Sequence, residues 1–341
     1  MLSNKPSLVA EISANHNGSL ITAKKLIKIS KKYGADAVKL QTYDENSMTL
    51  NSKKKEFLIN KGLWKGYSLW NLYKKAKTPY SWHRELFSYA KKIGITCFSS
   101  AFDENAVDLL ESLNCPIYKV ASFEITDITL LERIAKTKKP VILSTGLSNI
   151  NEIDLAYKTL KKNGTKDITI LYCVSNYPSK LDDFNLKNIP FLKKKYKCKI
   201  GLSDHSLDNK VAITAVSLGA EIIEKHIGLE NQKKGLDLDF SLRGKEILRF
   251  RKDITETYRL LGRNSFVRKK SELKNLRFRR SLFVVKDIKK GEKFTKFNIR
   301  SLRPNIGLSP VNIKRFIGKK SKIDIKSNTS ITKKLIRKIL V

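Results

Sequence analysis

Two strand-like segments in the second half of the chain end on the same scarce side chain. The 341 residues include only four histidines; His205 closes "KIGLSDH" (199–205) and His226 lies at the end of "EIIEKHI" (221–227). Neighbouring strands lie about 4.8 Å apart, so two imidazoles at matched depth could share one divalent ion. With no third protein ligand, such a pair leaves positions open to water and substrate, which suits a Lewis acid better than a structural site. Two unrelated structural histidines are the alternative. Lys39 and Lys119 lie in other strand-like runs and point at the same mouth. Together with Ser122, Ser144, Ser175 and Ser203 they offer point charge and hydroxyl donors, the makings of a phosphate or carboxylate cradle. A Schiff base is the other use of such a lysine, but two lysines among many hydroxyls fit an anionic ligand better. A metal beside such a cradle points to condensation chemistry on phosphoenolpyruvate.

These residues need elements that aim them at one place. Eight β-rich runs (8–14, 36–42, 95–101, 117–122, 140–145, 168–175, 199–205 and 221–227) alternate with helical patterns. The helical stretches include 20–33, 82–93, 104–113, 128–136, 150–162, 208–218 and 244–261. Strands alternating with helices imply parallel βαβ units, and eight of them over 1–262 predict an α/β TIM barrel. A doubly wound sheet is the runner-up, although "SANHNGS" after the first strand is no Gly-rich phosphate fingerprint. Barrel active sites sit at the C-terminal strand ends. There the chain places Glu11 and Asn15, Lys39 and Gln41, Ser99, Lys119 with Ser122 and Glu124, and Ser144. Ser175, Ser203 with His205, and Glu224 with His226 complete a ring of polar groups. His16 falls near the mouth or in a turn, and His83 at a helix start or in a lid.

Segment 43–81 interrupts the alternation and carries Tyr43, Trp64, Tyr67, Trp70, Tyr73 and Tyr80. A loop this long is usually functional or disordered; its aromatics predict an ordered lid. Residues 263–280, with eight Arg or Lys and one Glu, read as a basic linker. Residues 281–341 read as a small β-rich domain of short strands and tight turns.

Composition sets outer bounds. At 41% apolar residues the chain can build a sizeable core. No apolar run approaches the ~20 residues that span a bilayer, and the first residues lack a signal-peptide pattern. A cytoplasmic protein without membrane attachment is expected. Cys97, Cys115, Cys173 and Cys198 form no C-x-x-C pair and read as free buried thiols. The net charge of +37 raises a nucleic-acid or anionic-polymer binder as the rival class. The lysines are spread along putative helix faces without any nucleic-acid-binding signature, so a solvated basic surface is preferred.

The segments "EISANHNGS", "AVKLQTY", "YKVASFE", "ILSTG", "GLSDHS" and "EKHIGLE", in register along nearly the whole chain, resemble the sialic acid synthase family. "DIKKGE" and "RSLRP" resemble the antifreeze-like (SAF) domain fused to these enzymes. "SMTLNSKKKEFLINKGLW" and "AKTPYSWH" are most similar to the pseudaminic acid synthase branch. The resemblance implies a transferase that condenses phosphoenolpyruvate with an N-acetylated open-chain sugar, releases phosphate by C–O cleavage and makes a nine-carbon nonulosonic acid. N-acetylneuraminate and legionaminic acid synthases are the alternatives within the family; a related aldol-type barrel acting on a phosphorylated sugar is the one beyond it.

By the same resemblance His205 and His226 match ligands of a divalent metal, manganese first, with magnesium or cobalt as substitutes. Lys39, Lys119, Ser122, Ser144, Ser175 and Ser203 match phosphoenolpyruvate contacts. Gln41, Tyr177 and Asp237 match sugar contacts. Glu11 matches a carboxylate near the reacting centre and is the first candidate base, with Glu124 second. Arg303 matches an arginine lent to the partner subunit in a swapped homodimer. Two departures stand out. Ser175 occupies the place of an asparagine in sialic acid synthases, and "KSNT" (326–329) replaces a glycine turn, with Asn328 expected at positive φ.

Overall fold

A computed structural model describes residues 5–339. The chain divides into two compact units with the boundary after Gly262. In the first unit eight parallel strands run β1 (Ser7–Glu11), β2 (Ala37–Thr42), β3 (Thr96–Ala101), β4 (Tyr118–Val120), β5 (Val141–Ser144), β6 (Ile168–Cys173), β7 (Lys199–Asp204) and β8 (Ile222–Gly228). Each pairs with the next, and β1 also pairs with β8, which closes the barrel. The expected TIM barrel is therefore present. Both faces of these strands are covered, as a parallel barrel requires, which is why they read as nearly continuous apolar runs. A two-residue strand, β9 (Leu242–Arg243), extends the sheet beside β8.

Around the barrel lie α1 (Leu20–Lys32), α2 (Glu45–Met48), α3 (Leu69–Ala76), α4 (Tyr80–Lys92), α5 (Glu104–Ser112), α6 (Ile128–Lys136), α7 (Ile150–Lys162), α8 (Asn188–Tyr196), α9 (Asn209–Ser217) and α10 (Lys245–Leu261). Side chains stop fraying at their starts. Ser19 accepts the Thr22 N–H, and Asn149 with Glu152 forms a capping box on α7. Inward stripes such as Leu26 and Ile27 of α1 are fully buried, each stabilising the fold by roughly 1.5–3 kcal/mol. Helix α8 lies outside the periodic segments read from the sequence. Its "NIPFLKKKY" carries a proline in the first turn and three consecutive lysines, so the apolar period is faint. Among the described residues no helix is long and apolar enough to cross a membrane.

The 43–81 insert holds α2, a 3-10 turn at Lys55–Phe57, a bridge between Leu58 and Ser68, and α3. It is ordered by its own contacts. Tyr43 is buried with its ring edge-on to Tyr73 at 5.8 Å and to Phe102 at 5.2 Å. Lys77 pairs with Asp44 at 2.7 Å and with Glu45.

The second unit centres on a three-stranded sheet in the order β11 (Ile299–Leu302), β10 (Ser281–Val284), β12 (Thr329–Ser330). Its core gathers Leu282, Val284, Ile288, Phe294, Ile299 and Phe316, among others. Gly291 and Asn328 take φ of 84° and 61° in its turns, so asparagine does serve where a glycine was expected. The basic segment 263–280 is more structured than a plain linker: it forms a short helix at Lys270–Leu273 and a 3-10 turn at Lys274–Phe278. Of the four free cysteines, Cys97, Cys115 and Cys173 are buried, whereas Cys198 is only partly so.

Candidate active site

Alternation along parallel strands decides which polar side chains reach the barrel axis. Glu11 ends β1, Lys39 lies in β2, Lys119 in β4, and Ser203 and Glu224 in β7 and β8. All five are buried, and they form one network. Lys39 Nζ lies 2.6 Å from Glu11 Oε2 and 3.5 Å from Glu224 Oε1. Lys119 Nζ lies 3.7 Å from the same Glu224 oxygen. Ser203 donates its hydroxyl to Glu224 Oε1 at 3.0 Å, and Lys39 donates to Ser100 Oγ at 3.2 Å.

Burial works against every charge here. For Lys39 the two carboxylates outweigh it and hold the ammonium above its usual range. For Glu224 the two lysines and Ser203 outweigh it and hold the carboxyl below its usual range. For Lys119 burial outweighs the pull of Glu224 and holds the ammonium below its usual range. Burial likewise pushes Glu11 up, against the pull of Lys39.

Beside this network His205 and His226 stand with ring centroids 5.4 Å apart. His205 donates Nδ1–H to the Val174 carbonyl at 3.0 Å, which leaves the Nε2 lone pair as its free donor. His226 Nδ1 is buried without a hydrogen-bond partner; its nearest acid is Asp237 Oδ2 at 3.9 Å. Burial first, then His205 and the lysines, hold His226 well below its ordinary range, so it is neutral, as a metal ligand must be. Among the described residues no three His, Cys, Asp or Glu side chains cluster as a ligand set. The donor set is thus two open imidazole nitrogens, one of them an orphan, and it fits an ion that keeps positions for small molecules.

The serines separate. Ser122 Oγ accepts the Gly146 N–H at 3.0 Å, and a Cβ on Gly146 would run into both Ser122 Oγ and Ser175 Oγ. The backbone therefore approaches closely only because that residue is glycine. Ser175 lies 3.9 Å from Cys173 Sγ, and Ser144 Oγ is buried with no partner. Ser203 already gives its hydroxyl to Glu224, whereas Ser144 is still available. Ser99, read from the sequence as a mouth residue, faces the other way: its hydroxyl meets Thr42 Oγ1 at 2.6 Å, on the side of His83. Its neighbour Ser100 is the one that meets Lys39. Alternation explains both that reversal and the importance of Glu224, which stands two residues before His226 on the same strand face.

Above the network opens a cavity of about 290 Å³. Its wall includes Gln41, Glu124, Tyr177, His226 and Asp237, together with Tyr43, Trp64, Leu72, Tyr73, Phe102 and Phe240. Asp237 accepts the Ser13 hydroxyl and the Ala14 N–H, and Gln41 donates to Ser13 Oγ at 3.3 Å. Tyr177 packs on His205 at 4.4 Å and on Trp64 at 5.5 Å between ring centroids. Trp64 reaches over from the insert and donates Nε1–H to the Leu236 carbonyl at 2.9 Å. Burial raises Glu124 to about 7, and its Oε2 has no hydrogen-bond partner. Arg303 lies in the second unit, exposed, joined to Pro304 by a cis peptide bond.

A charged floor, two open imidazoles and an apolar-walled cavity suit the joining of a small anion to a larger, partly apolar partner. Known proteins share the frame. Residues 26–266 match the NeuB family, and residues 279–337 match the SAF domain. The chain is 44% identical over 328 residues to a pseudaminic acid synthase of Helicobacter pylori, covering 96% of each chain. It is 39% identical to an N,N'-diacetyllegionaminic acid synthase of Campylobacter jejuni, covering 92% of this chain and 95% of that one. A crystal structure of the N-acetylneuraminic acid synthetase of Leptospira borgpetersenii, in complex with citrate, superposes with a TM-score of 0.71 at 32% identity. That match covers 80% of this chain and 91% of the other. The barrel and the small second domain both find their counterparts among known proteins, and the chain belongs to the NeuB family of sialic acid synthases.

Proposed function

We propose that the chain acts as a pseudaminic acid synthase, a transferase that condenses phosphoenolpyruvate with 2,4-diacetamido-2,4,6-trideoxy-altrose. The observation that carries this reading is the juxtaposition of the buried Glu11–Lys39–Glu224–Lys119 network with a cavity walled by the aromatic insert. The floor offers cationic donors to a phosphate and a carboxylate. The wall offers apolar surface to acetamido methyls and to the methyl of a 6-deoxy sugar.

In the reaction C3 of phosphoenolpyruvate attacks the aldehyde carbon, and the carbonyl oxygen takes up the electron pair and a proton. Water adds at C2, and the resulting hemiketal phosphate breaks its C–O bond to release inorganic phosphate. Lys39 and Lys119 stabilise the phosphate as charge moves onto it. Ser122, Ser144 and Ser175 hold the anion, while Ser203 fixes Glu224 between the lysines. Gln41, Tyr177 and Asp237 meet the sugar. Glu124 is the better acid–base candidate than Glu11: burial raises it to about 7 and it lines the sugar cavity, whereas Glu11, which also has an oxygen without a hydrogen-bond partner, is paired with Lys39. His205 and His226 would hold a divalent ion, manganese or in its place magnesium or cobalt, which would supply Lewis-acid polarisation of the aldehyde. Tyr177, Trp64 and Phe240 line the cavity and restrict the access of bulk water.

We further read Arg303 as the residue that a homodimer partner contributes, and the enzyme as cytoplasmic. Arg303→Ala and His205→Ala homodimers should be nearly inactive, and their heterodimer should regain about half the parental activity per dimer; no recovery argues for a site built within one chain. The reading as a whole is tested by phosphate release with a panel of sugars. The diacetamido-trideoxy-altrose should give the highest kcat/KM. Equal or better turnover of N-acetylmannosamine would sink the assignment.

A further inference from the structure

Something must hold β7 and β8 in register for two histidines, one just past the end of β7, to reach the same depth. Across the pair Asp204 is the direct partner of Lys225. Alternation places Ser203 and Glu224 inside, where they bond each other, and turns Asp204 and Lys225 outward to the helix layer. The next residues, His205 and His226, point inward again. A slip by one residue would exchange those faces.

On the outer face Lys225 Nζ donates to Asp204 Oδ2 at 2.9 Å and to the Ser206 carbonyl. Asp204 Oδ1 accepts the Ser206 N–H at 2.8 Å. The bonds thus enclose the residue between them, His205, whose own carbonyl accepts the Ser179 N–H at 3.0 Å. Both charged side chains are sealed, at 0% exposure for Asp204 and 2% for Lys225, with the ammonium 6.0 Å from the Phe250 ring centroid on α10. Desolvating an ion pair this thoroughly costs so much that stability alone is a poor reason to keep it, and fixing register is its best-attested use.

We propose that Asp204 and Lys225 are positioning residues, and that their ion pair sets the depth and direction of His205 and His226. The inference rests on the reading of those histidines as holders of a divalent ion. A mere filler of the helix–barrel interface would be replaceable by neutral side chains of similar volume with no effect on the histidines.

The test is Co²⁺ binding to the full chain, followed by the visible spectrum of the ion, with Mn²⁺ titration calorimetry and thermal unfolding alongside. Lys225→Met alone leaves Asp204 buried without its partner and endangers the fold, so the double variant Asp204→Asn/Lys225→Met decides. It should unfold within about 5 °C of the parent, bind either ion about 10- to 100-fold more weakly, and show altered cobalt bands. Affinity within twofold of the parent and an unchanged spectrum in the double variant, whether its melting temperature is kept or lowered, overturns the proposal. His205→Ala is the control. If the parent binds no ion, or His205→Ala binds as well as the parent, the metal reading falls and this inference with it. If only the double variant behaves like the parent, the metal reading stands and this inference alone fails.

Discussion

The four histidines form two pairs in two regions, and the pairs differ in what their ring nitrogens touch. His16 and His83 lie beneath the insert. His83 donates Nδ1–H to the Pro79 carbonyl at 3.0 Å and accepts the Thr42 hydroxyl on Nε2 at 2.7 Å. His16 accepts the Gly18 N–H on Nδ1 at 3.1 Å, meets Thr78 Oγ1 with Nε2 at 3.5 Å, and lies edge-on to Trp82. At the barrel mouth His205 has one nitrogen bonded and His226 has an orphan. All four are buried. Burial alone therefore does not separate a structural histidine from a ligand; saturation of the ring nitrogens does. A buried polar atom left open is costly, so an open ring nitrogen facing the barrel mouth marks a position suited to a ligand.

The largest effect should come from breaking the open pair. His205→Ala or His226→Ala should lower kcat at least 10³-fold, about 4 kcal/mol of transition-state stabilisation, with a melting temperature close to the parent's. A chelator should do the same to the parent, reversed by Mn²⁺. Full activity in chelator would remove the distinction between the pairs. The closed pair should answer in the opposite way. His83→Ala leaves a cavity and removes one of the two partners of Thr42, which keeps Ser99, for about 3 kcal/mol of lost stability. The folded fraction should keep kcat within about tenfold. A catalytic loss in His83→Ala as deep as in His205→Ala, at unchanged stability, would show that saturation is no guide.

The same contrast explains what was legible in the sequence. The eight strands and most helices were legible because buried strands read as apolar runs and the helices facing them repeat every three to four residues. Glu11, Lys39, Lys119, His205 and His226 were legible because they are polar residues at strand ends, where apolar ones are the rule. Connectivity among them was not. Nothing in one strand says that Ser203 bonds Glu224 or that Ser100 replaces Ser99 at Lys39; those facts depend on alternation and on the register between strands. Nor does the spacing of aromatics in 43–81 reveal that Trp64 crosses to the Leu236 carbonyl, 172 positions away in sequence. In α8 the buried face of Ile189, Leu192 and Tyr196 is obscured by the proline and the run of lysines between them.

Titration sharpens the comparison at a smaller scale, because the two regions should push stability in opposite directions with pH. Burial lowers His16 to about 4 from an ordinary 6.5. Between those values the unfolded chain binds the extra proton, so this contribution is complete above about pH 6.5 and is lost as pH falls toward 4. Burial raises Glu124 from 4.5 to about 7. Here the folded chain holds the extra proton, so that contribution is complete below about pH 4.5 and is lost as pH rises through 7. Each swing should be about 3 kcal/mol. Denaturant titrations from pH 4 to 8 should show His16→Phe removing a loss on the acid side and Glu124→Gln removing one on the neutral side. Parallel curves for Glu124→Gln and the parent would mean that Glu124 is not raised, and its place as acid–base candidate would go with it.

The smallest effect concerns a side chain that joins the two regions. His16 and His83 fix the foot of the insert to the barrel; Trp64 carries the insert across to the mouth, with its N–H on the Leu236 carbonyl and its ring against Tyr177. Trp64→Phe keeps an aromatic ring at that place but removes the donor. One hydrogen bond between partly buried groups contributes about 1 kcal/mol, close to a fivefold change in an equilibrium constant. Leu236 directly precedes Asp237, whose carboxylate lines the sugar cavity, so loosening that carbonyl should loosen the sugar side and leave the charged floor untouched. The KM for the sugar should therefore rise about fivefold while the KM for phosphoenolpyruvate and the melting temperature stay near parental values. Equal rises in both KM values would place Trp64 in a general closure of the mouth, and an unchanged sugar KM would show that the insert shapes the cavity through ring packing alone.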